Sequence, residues 1–318
     1  MKVFVTGAAG FVGSRLSKAL LDRGDSVIGF DNLNDYYALE HKERHLKDLV
    51  PEENFTFVKG DLRKADQLRE LMEHHKPDAI AHMGGMAAVR YSIQHPLVYG
   101  EVNVQGSLNL LDAARAAGKP NCVLASTSSV YGSTTPIPFK EDAAADRPLA
   151  PYPASKRAME LLAHSHHSCF GLPITCVRFF NVYGPQGRPD MMPWVWSVAI
   201  SKGEPIKLFN GGKMKRDWTY IDDIVAGFVA AIDVKLGYEI LNLGCSNPVE
   251  NLDFVRILEK LLGKKAIVND VPAPSSEPLV TYADVSKAKR LIGYQPKVNV
   301  EEGLRRFIEW MRKEKLLA

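Results

Sequence analysis

Lys2-Val-Phe-Val-Thr-Gly-Ala-Ala-Gly-Phe-Val-Gly-Ser-Arg-Leu16 is the stretch on which the fold turns, with glycines at 7, 10 and 13. Lys2 to Thr6 is a short run rich in β-branched and aromatic residues with no helical periodicity, which predicts a buried parallel strand. Phe11, Val12, Leu16, Ala19 and Leu20 then supply the apolar stripe of an amphipathic helix. Between the two, Gly7, Gly10 and Gly13 let the backbone approach a pyrophosphate, whose charge is met by the free N–H groups of Phe11, Val12 and the rest of the helix start. The spacing GxxGxxG differs from the GxGxxG of ordinary dinucleotide folds. Asp31 lies 18 residues after Gly13, at the end of a second expected strand, Ser26 to Phe30, with Asn32 beside it. A carboxylate there accepts hydrogen bonds from the adenosine ribose and repels a 2′-phosphate, so the expected cofactor is NAD rather than NADP.

Working outward, strands are expected at Phe55 to Val58, Ala79 to Met83, Cys122 to Ser126, Ile174 to Phe180 and Glu239 to Leu243, and helices at Lys64 to His74, Leu97 to Ala117 and Ala154 to Cys169. That alternation predicts an α/β fold, a Rossmann-type doubly wound parallel sheet with helices on both faces. After residue 180 the punctuation changes to Pro185, Gly187, Pro189, Pro193, Gly211 and Gly212, then Pro272, Pro274 and Pro278. These loop-rich pieces predict a smaller, discontinuous C-terminal substrate-binding lobe. Residues 1–180 and a return near 217–250 form the NAD-binding domain, while 181–216 and 251–318 form most of the lobe.

Composition narrows the class. A chain of 318 residues with 46% hydrophobic content has no apolar run near the length of a membrane span, which predicts a soluble globular protein. The N-terminus enters a strand at once, which leaves no room for a signal peptide. Cys122, Cys169, Cys176 and Cys245 show no CxxC spacing and read as reduced core or near-core thiols of a cytoplasmic protein, with no metal site. A net charge of +3 with dispersed basic residues argues against nucleic acid and suits a small anionic substrate.

Chemistry belongs at the carboxyl ends of the strands. The fourth strand runs into Met83-Gly84-Gly85, where small residues admit a cofactor, and the fifth into Thr127-Ser128-Ser129. Tyr152 and Lys156 are four apart, so a helix starting here puts phenol and ammonium on one face. A phenol of pKa near 10 is a poor base at neutral pH, and a neighbouring cation is expected to lower that value. Thr127 is placed to hydrogen-bond a reacting hydroxyl or Tyr152.

These motifs resemble the extended short-chain dehydrogenase/reductases that act on sugar nucleotides, through TGAAGFVG, SSVYG, YPASK, RFFNVYGPQGRPD, KRDWTYIDD and TYADVSKAKRLIGYQP. Within that family, FDNLNDYY, AAVRYS and GRPDM resemble the UDP-glucuronate 4-epimerases. The resemblance implies Tyr152 as base, Lys156 as its partner that also binds the nicotinamide ribose, and Thr127 as the hydroxyl helper. Asp61 and Leu62 correspond to an adenine-contacting pair. Asn181 corresponds to a diphosphate or sugar contact, Arg188 to a substrate-side arginine and Arg216 to the arginine on the UDP phosphates, with Glu277 also on the substrate side. Members usually carry Ala-Ala at Gly84-Gly85, Gln or Leu at Met86 and often Trp at Gln186. Sister dehydratases carry an Asp-Glu pair, and decarboxylases a Glu, where this chain has Ser128-Ser129, so epimerisation through a 4-keto sugar is implied. Arg90, Arg188, Ser128 and Ser129 are the candidates to hold a uronate carboxylate. The alternatives are a UDP-glucose or UDP-N-acetylglucosamine 4-epimerase and a non-catalytic NAD-sensing protein. A homodimer is expected through Leu97 to Ala117 and Ala154 to Cys169, with Leu108, Leu111, Met159, Leu161 and Leu162 as spare apolar residues.

Overall fold

The computed structural model describes residues 1–318. Strands β1 (Lys2–Thr6), β2 (Ser26–Asp31), β3 (Phe55–Lys59), β4 (Ala79–His82), β5 (Asn121–Thr127), β6 (Ile174–Phe179) and β7 (Tyr238–Leu243) form one sheet. Their spatial order is 7-6-5-4-1-2-3, all parallel. Successive side chains of a strand point to opposite faces, and both faces here are buried. Val3, Val5, Ala79, Ala81, Val123 and Val177 point into one apolar cluster, and Phe4, Ile28, Ile80, Leu124 and Cys176 into the other. A sheet covered on both sides needs continuous apolar strands, which is why those runs showed no alternation.

Helices α1 (Phe11–Asp22) and α5 (Ile221–Asp233) cover the first face through Leu16, Leu20, Ile224 and Phe228. Helices α2 (Ala65–His75), α3 (Gly106–Ala116) and α4 (Pro151–Phe170) cover the second through Leu68, Met72, Leu110 and Met159. The strand order reverses between β1 and β4, which leaves a crevice at their carboxyl ends.

Three expectations need correction. The helix expected over Leu97 to Ala117 is a short α-helical turn (Pro96–Tyr99), a π-helical stretch (Gly100–Gln105) and α3. The wide turn brings Asn103 inward. There its Oδ1 accepts from Met86 N at 2.8 Å while Nδ2 donates to Met86 O and Ser155 Oγ, both at 2.9 Å. Cys169 is exposed, because it occupies the solvent side of the last turn of α4. Leu111 and Met159 are core residues facing the sheet. Helix α4 begins at Pro151, a residue whose missing N–H costs nothing in a first helical turn, so Tyr152 lies inside that turn.

The remaining pieces gather beyond the carboxyl edge. Pro205–Phe209 pairs with Ile267–Val271, Lys215–Arg216 with Val249–Glu250, and Asn181–Tyr183 with Trp218–Tyr220. The last helix, Val300–Lys313, buries Leu304, Phe307, Ile308 and Met311 on one stripe. These residues, with Trp194, Trp196 and Phe254, join the same 41-residue cluster as Val3 and Val5, so lobe and sheet share a core. Buried Asp217 pins the junction, accepting N–H groups of Cys245 at 2.7 Å, Ala283 at 2.9 Å and Ser246 at 3.0 Å. Burial pushes its pKa up to about 6.

Candidate active site

Two cavities open along the carboxyl edge of the sheet. The first, of about 350 Å³, is lined by Gly7, Gly10, Phe11, Val12, Gly13, Asp31, Asn32, Asp61, Leu62, Met83, Gly84, Gly85 and Lys156. The second, of about 840 Å³, is lined by Arg90, Thr127, Ser128, Ser129, Asn181, Arg188, Arg216 and Glu277. The sequence-expected cofactor residues thus fall around one cavity and the substrate residues around the other. The two share a wall of nine residues, among them Val12, Ser126, Tyr152, Phe179 and Arg188.

The first cavity is built for a dinucleotide. Gly7 has φ of +68°, and a Cβ on it would lie 2.8 Å from Gly84 N; one on Gly13 would lie 2.0 Å from Gly7 O. Only hydrogen fits there, so the turn packs tightly on β4 and α1 starts at the cavity wall. No side chain caps α1, which leaves its first N–H groups for phosphate oxygens. Asp31 is buried at the end of β2, with Oδ1 accepting from Leu33 N at 2.8 Å and Oδ2 from Ala9 N at 3.2 Å. Lys42 Nζ stands 3.5 Å from the same carboxylate. Asp61 is held by Arg63 and by Asn32 Nδ2 at 3.2 Å, and the Arg63 hydrogen bonds keep its carboxyl well below the usual range. These residues fit NAD.

Under β1 and β4 runs a buried hydrogen-bond chain whose direction is fixed. Ser107 Oγ spends its proton on Asn103 O at 2.6 Å, so it must accept from His82 Nε2 at 2.9 Å. His82 Nδ1 is then the acceptor for Thr6 Oγ1 at 2.7 Å, and Thr6 accepts from Gly84 N at 2.9 Å. Burial pushes His82 down to about 3, with Lys156 adding to the effect. The ring is neutral, and it positions Gly84 in the cofactor wall.

Tyr152 and Lys156 project from the first turns of α4 and are both buried. Lys156 Nζ donates to Ala125 O at 2.9 Å, and burial pushes its pKa down to about 8 against the pull of Cys176 and Glu160. Burial also raises Tyr152, and the groups that oppose it are the Thr127 hydroxyl and the Arg188 guanidinium. The four-residue spacing points to Lys156 for that role, but its ammonium is turned to the Ala125 carbonyl. One turn further, Glu160 accepts from Ser126 Oγ at 2.6 Å and pairs with Arg178 at 2.8 Å. This buried pair braces the end of β5 against α4.

In the second cavity the arginines separate into two groups. Glu277 bridges Arg216 Nη2 at 3.0 Å and Arg90 Nη2 at 3.3 Å, tying the 272–280 segment across the mouth. Arg90 also lies over the Phe209 ring, 5.1 Å from its centroid. Arg188 lies at the junction with Tyr152 and forks onto Asp190, Nε to Oδ1 at 3.0 Å and Nη2 to Oδ2 at 2.6 Å. Its Nη1 donates to Ala87 O at 3.3 Å, and Tyr36 OH donates to Asp190 Oδ2 at 2.9 Å. Burial opposes the Arg188 charge, but Asp190 outweighs it and the pKa is raised. Asn181 and the Thr127 to Ser129 hydroxyls line the same cavity. Sequence reading had not singled out Asp190, Asn103, Glu160 or Lys42. The i,i+4 spacing from Lys156 could have flagged Glu160, whereas Asp190 acts through a partner the sequence does not identify.

A glycine turn on a parallel sheet, beside a tyrosine, lysine and threonine at a shared cavity wall, defines a dinucleotide-dependent oxidoreductase site of the extended short-chain type. Residues 3–244 match the NAD dependent epimerase/dehydratase family, and the chain belongs to it. The UDP-glucuronate 4-epimerase of Thermodesulfobacterium geofontis is 43% identical over 97% of this chain and 95% of its own. UDP-glucuronate 4-epimerase 4 of Arabidopsis thaliana is 41% identical over 97% of this chain and 74% of its own. Among solved structures, UDP-glucuronic acid 4-epimerase from Bacillus cereus in complex with UDP-glucuronic acid and NAD superposes with a TM-score of 0.93 at 34% identity, covering 99% of this chain and 100% of that one. UDP-glucose 4-epimerase from Thermotoga maritima with UDP-glucose gives 0.90 at 27% identity, covering 99% and 100%.

Proposed function

We propose that this protein is an NAD-dependent isomerase that interconverts UDP-glucuronate and UDP-galacturonate by inverting the sugar C4 through a 4-keto intermediate. The observation that carries the reading is the meeting of the two cavities on Tyr152, with Arg188 at the same junction. Tyr152 removes the C4 hydroxyl proton and later returns it, with Thr127 orienting the hydroxyl. Lys156 supplies a buried positive charge on the cofactor side. Bound NAD supplies a hydride acceptor that gives the hydride back, so none is consumed over a cycle. For inversion the keto sugar must turn over while its diphosphate stays fixed. The arginines suit this division, with Arg216, Arg90 and Glu277 at the UDP end and Arg188, Ser128 and Ser129 around the uronate. Holding the carboxylate keeps the C5–C6 bond of the β-keto acid out of the geometry that releases CO2.

In this reading, residues 1–180 with 217–250 hold NAD, and 181–216 with 251–318 hold most of the UDP-sugar. The protein works as a homodimer, supported by exposed Leu97 and Leu161 on the two helical segments. Four free thiols suit a cytoplasmic location, and no helix is long and apolar enough to cross a membrane. Incubation of the purified protein with UDP-glucuronate, read by NMR, should give UDP-galacturonate without added stoichiometric NAD. Turnover of UDP-glucose alone would move the assignment to a neutral-sugar epimerase, and one NAD consumed per product would overturn the reaction type.

A further inference from the structure

His45, buried in the helix Leu39–Lys47, presents both ring nitrogens to carbonyl oxygens. Nδ1 lies 2.8 Å from Ala9 O, inside the glycine turn. Nε2 lies 3.0 Å from Gln186 O, two residues before Arg188. A neutral imidazole has one N–H and one lone pair, and a carbonyl oxygen can only accept. In the neutral ring one nitrogen therefore faces a carbonyl lone pair to lone pair. Only the imidazolium satisfies both contacts at these distances.

What the ring joins matters for the site. Ala9 N donates to Asp31 Oδ2 at 3.2 Å, so the Ala9 peptide backs a carboxylate that lines the cofactor cavity. Gln186 has a φ of +64°, a left-handed conformation that a non-glycine residue keeps only when its surroundings hold it. Two groups hold it, both from one side: the His45 ring, and Asp48, which accepts from Gln186 Nε2 at 3.2 Å. Gly187 N closes the turn onto Gly184 O at 3.1 Å, and Arg188 follows. Displacing the Gln186 peptide therefore displaces the guanidinium that faces the substrate. The charged neighbours of His45 pull in both directions. Burial lowers its pKa and outweighs the two carbonyls and Asp31 at the end of β2, which raise it; Arg44 on its own helix lowers it further, and His41, one turn back, is a like charge when protonated, so the ring titrates below the ordinary imidazole value.

We propose that His45 is a positioning residue that couples the phosphate-binding turn to the segment carrying Arg188, and that it makes both links only as the imidazolium. As the ring gives up one N–H, the longer contact, Nε2 to Gln186 O at 3.0 Å against Nδ1 to Ala9 O at 2.8 Å, is the one that opens, and Arg188 is held less firmly. The chain thereby carries a built-in dependence of uronate binding on pH. The kinetic part rests on the epimerase reading above, and the bonding part stands without it.

Two measurements test the proposal together. Imidazole ¹⁵N–¹H NMR of the NAD-loaded protein, with His45→Gln used for assignment, should show two slowly exchanging N–H groups on His45 on the acid side of its titration and one on the alkaline side. In steady-state kinetics between about pH 4.5 and 7.5, a window extended below the ordinary imidazole range because burial lowers His45, wild-type KM for UDP-glucuronate should rise with pH while kcat changes little. The rise should be on the order of tenfold, the worth of one hydrogen bond to a charged group. His45→Arg, a permanent double donor, should flatten that rise. Parallel KM profiles for wild type and His45→Arg, or a single N–H on His45 at every pH, would overturn the proposal. If His45→Arg does not fold, or UDP-glucuronate is not turned over, the NMR titration of wild type still decides the bonding claim.

Discussion

Replacing Arg188 by alanine should cost UDP-glucuronate turnover far more than UDP-glucose turnover, and the geometry sets the size of the difference. The guanidinium makes two hydrogen bonds to Asp190 and one to Ala87 O. Alanine removes the donor a uronate carboxylate needs and leaves Asp190 held only by Tyr36 OH at 2.9 Å. The incoming anion then loses an attraction and meets a repulsion. Truncating one partner of a buried, hydrogen-bonded charge pair costs roughly 2 to 5 kcal/mol. Asp190 is 32% exposed, so water screens it and the low end applies. About 2 kcal/mol is roughly a 30-fold loss in kcat/KM. The repulsive part can be isolated. Two like charges at an assumed separation of about 6 Å cost about 3 kcal/mol at an effective dielectric near 20, and solvent screening at this one-third-exposed carboxylate leaves roughly half of that. Adding Asp190→Asn to Arg188→Ala should therefore recover about tenfold on the uronate and nothing on the neutral sugar. The assay is kcat/KM on both substrates for the two single variants and the double, with products read by NMR. A UDP-pentose side product in Arg188→Ala would mark a carboxylate free to rotate. Equal losses on both substrates, or a double variant no better than the single, would refute the reasoning and place Arg188 on the UDP moiety.

Three further outcomes are expected. Tyr152→Phe should lower turnover by at least about 10²- to 10⁴-fold, the usual share of general acid–base catalysis, while NAD still co-elutes on gel filtration; wild-type rates would sink the assignment. His82 has a folded pKa near 3, against about 6.5 unfolded. The unfolded chain thus binds the extra proton across that window, and stability falls as pH falls, by up to about 1.4 kcal/mol per unit. Urea unfolding from about pH 7 to about 5 should show a steeper loss for wild type than for His82→Asn, and identical slopes would count against a buried neutral ring. Finally, Leu97→Glu with Leu161→Glu should turn a dimer into a monomer by light scattering, and a monomeric wild type at micromolar concentration would remove the dimer.

The sheet could be read from the chain because a parallel strand buried on both faces must be apolar throughout, and because Gly7 and Gly13 mark a turn where no Cβ fits. Tyr152 and Lys156 were visible for a local reason: their four-residue spacing lies within one helix. Both kinds of signal depend on backbone geometry over a few residues, so a sequence states them directly. The contacts that shape the site are of another kind. Glu277 reaches Arg216 across 61 residues and Arg90 across 187, and Gln186 meets His45 across 141. The π-helical turn that brings in Asn103, the burial of Leu111 and Met159 and the exposure of Cys169 likewise follow from how α3 and α4 pack on the sheet. The sequence by itself determined the parallel sheet, the dinucleotide turn and the tyrosine–lysine pair. Tertiary structure decided which arginine shares the cavity junction with Tyr152 and which carboxylate each one holds, because side-chain pairing across long separations is set by packing rather than by local backbone preference.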